Sequence, residues 1–520
     1  MSKSEIEVKS FNEAIAMFSR EVGVTNIEAH NQFVGNREFL KFSVGKESPL
    51  YSHALFVTQQ SISDWNSYKG AIGISATTAK TFPESIEARA LLTLLARSTR
   101  EVAQGERAQG YTVPYVPFQQ REDHTLAQPA NHIVRGRRGV GKSTLIRRAA
   151  DLLSASRSAL CIIDMQSYST LGGDDLQREL FIDICSAICT EFASLAKKIG
   201  KKVDIRPLQQ ILHEISEGSI SIARIPISVK RCIGALTKVT ESNIFVFLDD
   251  FHLINRELQP ELLHSLLAAL KGANAWLKIV GISSILNTYD PKVGRGLQTP
   301  GDAQFISLDL TLENPEAAEA HLRSILRGFL HSVGHDLNTT VMADSAFRRL
   351  AWANAGVPRD FLQMFARSLE HAARNKHSSV TLSDINVAIG EFGQQKLSEL
   401  DLDARNEAGT IRRMLDLLEQ LCLEDGKINA FLIRSGNSQE RLIVQILSDL
   451  RLVHLIHQSI TPYKAGERFE AFILDYSLFT GFRRRPNVKE MIPHQSQFKA
   501  SELRALPKVV PGFFTEILKA

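Results

Sequence analysis

The stretch HIVRGRRGVGKSTLIRRAADLL, residues 132–153, decides the fold of the region around it. It begins with a short apolar run, continues through a glycine-rich turn and ends in a pattern typical of an amphipathic helix. Its centre, GRRGVGKS at residues 136–143, fits the spacing G-x-x-x-x-G-K-[ST]. A loop of this kind between a strand and a helix turns its backbone N–H groups inward, where they hold phosphate groups. The sequence therefore predicts a phosphate-binding loop.

Each residue type in this loop has a physical task. Gly136, Gly139 and Gly141 let the backbone turn where side chains would collide with phosphates. Lys142 supplies a positive charge for the β- and γ-phosphates of ATP, and Ser143 supplies a hydroxyl ligand for Mg²⁺. The N-terminus of the following helix faces the phosphates. The predicted nucleotide-binding residues of the loop are Gly136, Arg137, Arg138, Gly139, Val140, Gly141, Lys142, Ser143 and Thr144.

Strand-like and helical patterns alternate from about residue 131 to residue 310, which is typical of a parallel sheet covered by helices. Most of the strand-like runs are continuously apolar, as expected for strands buried on both faces. A long, mostly helical insertion at residues 166–241 separates the second run from the third. The predicted strands are residues 132–135, 159–164, 243–249, 277–283 and 304–308.

An acidic pair ends the most apolar of these strands. In NIFVFLDDFHLI, residues 243–254, Asp249 and Asp250 follow the apolar run directly. Two carboxylates at a buried strand end are costly without a cation, so Mg²⁺ is the natural partner. We predict that Asp249 holds Mg²⁺ together with Ser143, through the water shell of the ion, and that Asp250 polarises the attacking water. The alternative is that these acids only start a turn.

Two further residues are candidates for catalysis. Ser284 follows the apolar run of WLKIVGISSILN, residues 276–287, and is predicted to contact the γ-phosphate or the attacking water. The alternative for Ser284 is a turn residue at a strand end. Arg295, in the next loop, is predicted to act as an arginine finger towards a neighbouring subunit, with a solvated side chain as the alternative. The predicted catalytic residues are Lys142, Asp250, Ser284 and Arg295.

Composition limits the classes of protein that fit. With 61 Lys+Arg against 57 Asp+Glu, the net charge is only +4 over 520 residues, which excludes a protein that coats nucleic acid through net charge alone. The 44% hydrophobic content excludes a disordered chain. The five cysteines lie mostly in apolar stretches, as expected of reduced, buried thiols. With no signal-peptide pattern and no membrane-length apolar run, the expectation is a cytoplasmic protein without a membrane partner.

The C-terminal part is predicted to form a winged helix. Helical patterns fill residues 314–392, and from residue 407 a helix, a short helix and a third helix at residues 439–450 precede two β-like runs. The third helix of a winged helix enters the major groove of DNA, yet here it supplies only Arg441. Residues 476–508 contain seven basic residues against two acids. DNA contact and protein docking both remain open for this region.

Together these motifs resemble those of AAA+ ATPases, most closely the replication-initiator branch that includes the origin-recognition ATPases. The resemblance rests on GRRGVGKS, LDDF, IVGISS and NAGVPRDFL and spans about residues 131–482. It implies an α/β fold, a P-loop NTPase parallel sheet with an AAA+ helical lid, and ATP bound where sheet and lid meet. Arg359 matches the family's sensor-2 arginine. Asp250 and Ser284 depart from the usual Glu and Asn, and an Asp-Asp pair is usual in the related STAND ATPases.

The resemblance implies an ATPase that binds and hydrolyses ATP with Mg²⁺ to switch oligomeric assembly and the engagement of DNA or a partner protein. One alternative is a STAND-like regulatory ATPase of an antiphage defence system with a separate effector protein. Another is a transposition or replication initiator that acts as a scaffold on DNA. The expected partners are further copies of the chain, an effector protein, and DNA through the winged helix and basic tail. The predicted regions are 1–127, mixed α+β and unassigned, 128–312, the ATPase core, 313–398, the lid, 405–485, the winged helix, and 486–520, a basic C-terminal tail.

Overall fold

In the computed structural model, the chain divides into two compact units. The sheet unit is Pro117–Asp309, and the helical unit combines Met1–Val116 with Leu310–Ala520. In the described part of the chain, every helix is too short or too polar to cross a bilayer. The structure describes residues 10–25, 27–35, 37–45, 47–64, 66, 68–76, 81–99, 114–200, 202–283, 285–403, 408–436, 438–461, 467–480, 487–491, 498–515 and 517.

The N-terminal part of the helical unit is mixed α+β, as predicted, and its three strands form one sheet. Its elements are α1 (Phe11–Val22), β1 (Ala29–Val34), β2 (Arg37–Val44), α2 (Pro49–Ser61), β3 (Ile72–Ala76) and α3 (Ile86–Thr99). Strand β2 pairs antiparallel with β1 and parallel with β3. The side chains of Ser10 and Ser48 cap α1 and α2 by accepting backbone N–H groups. The rings of Phe18 and Phe42 stack with centroids 4.1 Å apart, which joins α1 to the sheet.

The sheet unit contains the predicted parallel sheet. Its elements are α4 (Glu122–Leu126), β4 (His132–Arg135), α5 (Lys142–Ser154), β5 (Ser158–Asp164), α6 (Gly173–Ile199), α7 (Arg206–Ser216), α8 (Ile225–Thr240), β6 (Asn243–Asp249), α9 (Gln259–Leu270), β7 (Ala275–Gly281), β8 (Tyr289–Asp290), β9 (Arg295–Gly296) and β10 (Gln304–Ser307). Five strands run parallel in the order β10-β4-β7-β6-β5, and β8 with β9 forms a small antiparallel pair. The predicted insertion at residues 166–241 forms α6, α7 and α8.

Strand β6 explains why a continuous apolar run makes a central strand. Its residues from Ile244 to Leu248 are all buried, and successive side chains point to opposite faces of the sheet. Ile244, Val246 and Leu248 belong to the core beneath α6, α8 and α9, whereas Phe245 and Phe247 belong to the core beneath α5. Both faces are therefore covered, and an alternating polar pattern would have left polar groups in one of the two cores.

The C-terminal part of the helical unit begins with five helices and ends in a second sheet. Its elements are α10 (Pro315–Ser332), α11 (Asp344–Ala353), α12 (Pro358–Arg374), α13 (Leu382–Asp403), α14 (Ala408–Glu419), β11 (Ala430–Arg434), α15 (Gln439–Asp449), β12 (Val453–Ile460), β13 (Phe469–Leu474), α16 (Ala500–Arg504) and β14 (Lys508–Val509). The sheet order is β12-β13-β11-β14, with β14 parallel to β11. Residues 500–509, within the predicted basic tail, thus form a helix and a strand.

The predicted short helix between the first and third helices of the winged helix is wrong. In the described residues, α14 continues into a π-helical segment at Gln420–Asp425, which lies largely within the predicted first helix, and strand β11 then precedes α15. The segment AFLIR of β11 pairs with β13 on one side and β14 on the other, and four of its five side chains are buried. An apolar segment of this length is ambiguous in the sequence, and its two neighbouring strands decide it. The winged helix itself stays a prediction.

The N-terminal residues share a core with the helices of the predicted lid. The buried side chains of α1 to α3, of α10 to α13 and of the C-terminal sheet form one continuous cluster. Helix α3 packs against α10 and α12, and the rings of Phe82 and His335 lie 4.5 Å apart. The two units meet in sequence at residues 116/117 and 309/310, near the predicted boundaries at 127/128 and 312/313. The N-terminal part is therefore a structural component of the helical unit.

Candidate nucleotide-binding site

The glycine-rich loop connects β4 to α5, where the sequence predicts it. Gly139 and Gly141 have φ angles of 84° and 100°, in the left-handed region that favours glycine. Gly141 is also the residue that precedes the first turn of α5. A Cβ atom on Gly136 would lie 2.8 Å from Cγ2 of Val140, which is too close without a shift. The three glycines therefore stand where the backbone needs them.

The side chain of Lys142 lies along its own loop. Its Nζ donates to the backbone carbonyl oxygens of Gly136 and Arg137, each at 3.0 Å. The ammonium group is buried, so these two carbonyls replace water around its charge. A phosphate group bound in the loop would compete for the same ammonium group, since phosphate carries charge and the carbonyls do not. The lysine is thus held at the place that the sequence predicts for it.

The acidic strand end meets the loop through a hydrogen bond. The hydroxyl of Ser143, in the first turn of α5, donates to the carboxylate of Asp249 at the end of β6. Burial raises the pKa of Asp249 to about 6, and the charge of Asp250 adds to the rise, while Ser143 and Lys142 oppose it. A buried carboxyl with a raised pKa gains from a nearby cation. Hydroxyl and carboxylate oxygens are ligands that Mg²⁺ prefers, so these residues fit the ion.

Asp250 adopts a left-handed backbone conformation directly after the strand. Its φ angle is 51°, and its N–H donates to Oδ1 of Asp249 at 2.9 Å. Aspartate tolerates this conformation better than most residues, although it costs about 1 kcal/mol or more. The side chain is 34% exposed, so water reaches its carboxylate. The turn therefore gives the two neighbouring acids different environments, because Asp249 is largely desolvated whereas the carboxylate of Asp250 is open to water.

His252 is a site residue that the sequence analysis missed. Its Nδ1 lies 3.8 Å from Oδ1 of Asp250, and its side chain is 11% exposed. Burial lowers the pKa of His252 to about 4, and the charges of Lys142 and Arg138 lower it further in the same direction. The imidazole is therefore neutral near pH 7 and can accept a hydrogen bond. A single histidine after LDD has no spacing that marks it in the sequence.

Asp309 is the second residue that was missed. One of its carboxylate oxygens, Oδ1, accepts the backbone N–H of Arg137 at 2.8 Å and the Nε of the same residue at 3.3 Å. Arg137, predicted to bind nucleotide, thus has its guanidinium group on a carboxylate. Of the other predicted loop residues, Val140 is buried in the core, whereas Arg138 and Thr144 are exposed. No local pattern links Asp309 to Arg137, because they are 172 positions apart.

The remaining predicted residues are not part of this arrangement. Ser284 lies outside the described residues. The strand that precedes Ser284 in the sequence, β7, lies between β4 and β6 in the sheet. Arg295 in β9 pairs with Glu261 on α9, and both side chains are about half exposed. Arg359 is in the first turn of α12, which belongs to the helical unit. The structure thus brings together Lys142, Ser143, Asp249 and Asp250.

No group of three or more His, Cys, Asp or Glu side chains that could hold a metal occurs in the described ranges. A metal ion at Ser143 and Asp249 would therefore need further ligands from outside these side chains. Phosphate oxygens and water meet this need for Mg²⁺, which usually keeps several waters and binds only one or two carboxylates. The ligand set present here fits Mg²⁺ carried by a nucleotide better than a metal ion held by protein alone.

The predicted DNA-reading helix, α15, has little positive charge to offer. Its one cation, Arg441, makes an ion pair with Glu470 of β13, with Nε 3.1 Å from both carboxylate oxygens. Leu442, Ile446 and Leu450 are exposed and follow one another at four-residue spacing along the helix. Residues at this spacing lie on one helix face. The exposed face is therefore apolar, which suits a protein partner better than the phosphate backbone of DNA.

No family model and no curated protein matches this sequence. Solved structures of similar fold include Drosophila ORC bound to DNA, at 14% identity with 78% of this chain and 93% of that chain covered and a TM-score of 0.37. The Aeropyrum pernix ORC1 protein in complex with DNA matches at 16% identity, over 70% and 91%, with a TM-score of 0.37. The Thermotoga maritima RuvB Holliday junction branch migration motor matches at 12%, over 69% and 93%, with a TM-score of 0.32. At these scores the likeness carries no argument about function.

The fold follows from the chain's own topology. The strand order β10-β4-β7-β6-β5 places the glycine-rich loop after β4 and the acidic pair after β6, with β7 between them. A parallel sheet with a phosphate loop, followed by helices, is what the resemblance to AAA+ ATPases implies, and α10 to α13 are the helices that follow the sheet in the chain. The chain therefore has the α/β fold of a P-loop AAA+ ATPase.

Proposed function

We propose that this chain binds ATP with Mg²⁺ and hydrolyses it. The observation that carries the proposal is the hydrogen bond between Ser143 and Asp249, which joins the phosphate loop to the acidic strand end with Lys142 beside them. Lys142 exchanges the carbonyls of its loop for phosphate oxygens. Ser143 and Asp249 hold Mg²⁺, which neutralises charge on the phosphates. Asp250, one residue further and open to water, orients the attacking water molecule.

The sequence motifs add three more residues to the proposed mechanism. Arg359 responds to the γ-phosphate of bound ATP. Ser284 assists Asp250 in orienting water. Arg295 acts in the site of a neighbouring copy, which requires a homo-oligomer and the release of Arg295 from Glu261. An arginine supplied in trans is worth about 10³-fold or more in turnover where it is used. Images of single particles with and without ATP test for the assembly, and a chain that stays monomeric in both contradicts the role of Arg295.

The direct test of ATP hydrolysis is the substitution Lys142→Ala. We expect turnover to fall about 100-fold or more, because the loop loses its charge next to the phosphates. Lys271→Ala is the matched control: this lysine of the sheet unit is exposed and pairs with Asp302, so turnover stays at the wild-type rate. Equal turnover of the Lys142→Ala variant and the wild type would falsify the proposal.

We propose further that nucleotide state switches engagement of a partner protein through α15. The exposed apolar face and the engaged Arg441 support protein docking over major-groove contact. A docked protein is what the alternative of a STAND-like regulatory ATPase with a separate effector protein requires, whereas a replication or transposition scaffold requires contact with DNA. Binding of duplex DNA at several salt concentrations separates the two. ATP-dependent DNA binding that weakens when Arg483, Arg484 and Arg485 are neutralised supports the scaffold instead.

A further inference from the structure

Asp309 connects the end of one strand to the phosphate loop that follows its neighbour. Strand β10 pairs in parallel with β4, and the pairing continues one step beyond the strand, where the N–H of Leu308 donates to the carbonyl of Arg135 at 2.9 Å. The next residue is Asp309. Because parallel strands end at the same edge of a sheet, Asp309 and the loop after β4 emerge side by side. The carboxylate therefore lies next to the first residues of the loop.

The contacts of Asp309 lead in two steps to Lys142. Oδ1 of Asp309 accepts both the backbone N–H and the Nε of Arg137. The carbonyl oxygen of Arg137 accepts from Nζ of Lys142 at 3.0 Å. A Cβ atom on the preceding Gly136 would lie 3.6 Å from the same Oδ1 and 3.4 Å from Cβ of Leu308. The start of the loop is therefore packed directly on the segment that carries Asp309.

We propose that Asp309 is a positioning residue for the phosphate loop, and that Arg137 is the group it holds rather than a ligand of phosphate. A buried guanidinium needs a partner that satisfies its charge and its N–H groups, and Asp309 supplies one carboxylate for both backbone and side chain. Arg137 then fixes the carbonyl on which the ammonium group of Lys142 rests. The inference builds on the proposed ATP binding and adds a residue that acts on the loop from another strand.

The position of β10 at the edge of the sheet explains why the contact between Asp309 and Arg137 is important for the loop. The strand has four residues and a single neighbour, β4, in the parallel sheet. Gly139 and Gly141, both in the left-handed region, have no side chains that could fix this part of the loop by packing. A fixed contact at residue 137 limits that freedom at the entry of the loop. Loss of the contact displaces the N–H groups that bind phosphate. The displaced groups then hold the phosphates of ATP less tightly.

The substitution Asp309→Asn tests the inference in the full-length protein, with Asp302→Asn as the matched control. Asp302 precedes β10 at its other end and also accepts one backbone N–H, from Gln298, and one cation, Lys271. We expect the KM for ATP of Asp309→Asn to rise about tenfold while kcat stays within about twofold, because ground-state and transition-state binding are lost alike. A purely structural role would instead lower kcat with the active fraction and leave KM unchanged, and that result overturns the inference.

A double-mutant cycle checks that Asp309 acts through Arg137. We expect Arg137→Met alone to raise KM as much as Asp309→Asn, and the double variant to raise it no further. Additive effects overturn the inference. If the wild type shows no turnover that depends on Lys142, the proposed function fails; if it does and Asp309→Asn keeps the wild-type KM, only the positioning role fails.

Hydrogen exchange in the absence of nucleotide gives a readout that needs no ATP. The N–H of Arg137 donates to Asp309, so we expect a peptide that covers the loop to exchange about tenfold faster in Asp309→Asn. The same peptide in Asp302→Asn should exchange at the wild-type rate. Unchanged exchange of the loop in Asp309→Asn overturns the inference. Arg137→Met, which removes the side-chain contact from the other side, provides the same comparison should Asp309→Asn fold poorly.

Discussion

A buried lysine outside the phosphate loop in the sheet unit and a buried lysine in the helical unit are satisfied in opposite ways. Lys278 in β7 belongs to the sheet unit, and Lys396 in α13 belongs to the helical unit. Both side chains are buried. The ammonium group of Lys278 contacts neutral acceptors, whereas that of Lys396 contacts two carboxylates. The difference shows how each unit tolerates a charge in its interior.

In the sheet unit, two backbone carbonyls and one imidazole accept hydrogen bonds from the buried ammonium group of Lys278. Nζ of Lys278 donates to the carbonyl oxygens of Gln128 and Ala130, at 2.7 and 2.6 Å, and to Nδ1 of His132, at 2.8 Å. Burial lowers the pKa of Lys278 to about 7. Burial, with the nearby Lys278, also lowers the pKa of His132 to about 3, so the imidazole stays neutral. The lysine ties the segment before β4 to β7 without any opposite charge.

In the helical unit, a network of ion pairs stabilises the buried ammonium group of Lys396. Nζ of Lys396 lies 2.8 Å from Oδ2 of Asp475 and 3.5 Å from Oδ2 of Asp360. Arg451 also pairs with Asp360, and His454 donates to Asp475 at 2.8 Å. Burial pushes the pKa of Asp475 up, but Lys396 and His454 outweigh it and hold this pKa well below its usual range. The network joins α12 and α13 to the C-terminal sheet.

The largest expected effect is that of removing the lysine from each unit in turn. Lys396→Met leaves Asp475 and Asp360 buried with fewer partners, so we expect the free energy of unfolding of the helical unit to fall by about 3–5 kcal/mol. Lys278→Met removes a buried charge together with its hydrogen bonds to two carbonyls and one imidazole nitrogen, all neutral acceptors, so we expect a loss below about 2 kcal/mol. Hydrogen exchange with denaturant resolves the units. Equal losses in the two variants would show that the acceptor type is irrelevant.

A pH series sharpens the same comparison. The folded pKa of Lys278, about 7, lies below its unfolded value of 10.5. Between these pH values the unfolded chain binds the extra proton, so the free energy of unfolding of the sheet unit rises with pH across the window. We expect a rise of about 2 kcal/mol from pH 7 to 8.5 relative to Lys278→Met. If the free energies of unfolding of the wild type and of Lys278→Met change with pH in the same way over this range, the lowered pKa is contradicted.

The smallest effect is expected at the surface of the helical unit. Arg441 pairs with Glu470 as Arg451 pairs with Asp360, but its side chain is 35% exposed. Water compensates for the loss of an exposed ion pair, so we expect Arg441→Met to cost less than about 1 kcal/mol. The measurement is the free energy of unfolding of the helical unit. A loss as large as that of Lys396→Met would show that burial does not set the strength of these pairs.

Several features of the site could be predicted because they depend on neighbours in sequence. The spacing of glycines, Lys142 and Ser143 predicted the loop, and the apolar run before Asp249 predicted a buried strand with an acidic end. The parallel sheet followed from the alternation of strand and helix patterns. The short helix predicted before α15 was wrong, because the two strands that flank β11 in the sheet come from later parts of the chain.

Other features of the site depend on contacts between distant residues. Asp309 reaches Arg137 across 172 positions only because β10 and β4 are adjacent strands. His252 becomes part of the site through burial beside charges of the loop, which no spacing reveals. Arg441 looked available for DNA in the sequence, and its pairing with Glu470 depends on how α15 packs against β13. Each of these contacts links separate elements.

The sequence by itself determined where phosphate binding is predicted, since a backbone turn and its flanking strand and helix are local and short in range. It also determined that the chain is nearly neutral and that the strand before the loop belongs to a parallel sheet. Only the tertiary structure decided that α1 to α3 share a core with α10 to α13. It likewise decided which acids are buried and what holds the loop. The reason is physical: burial and pairing of charges depend on all the elements that pack around a group.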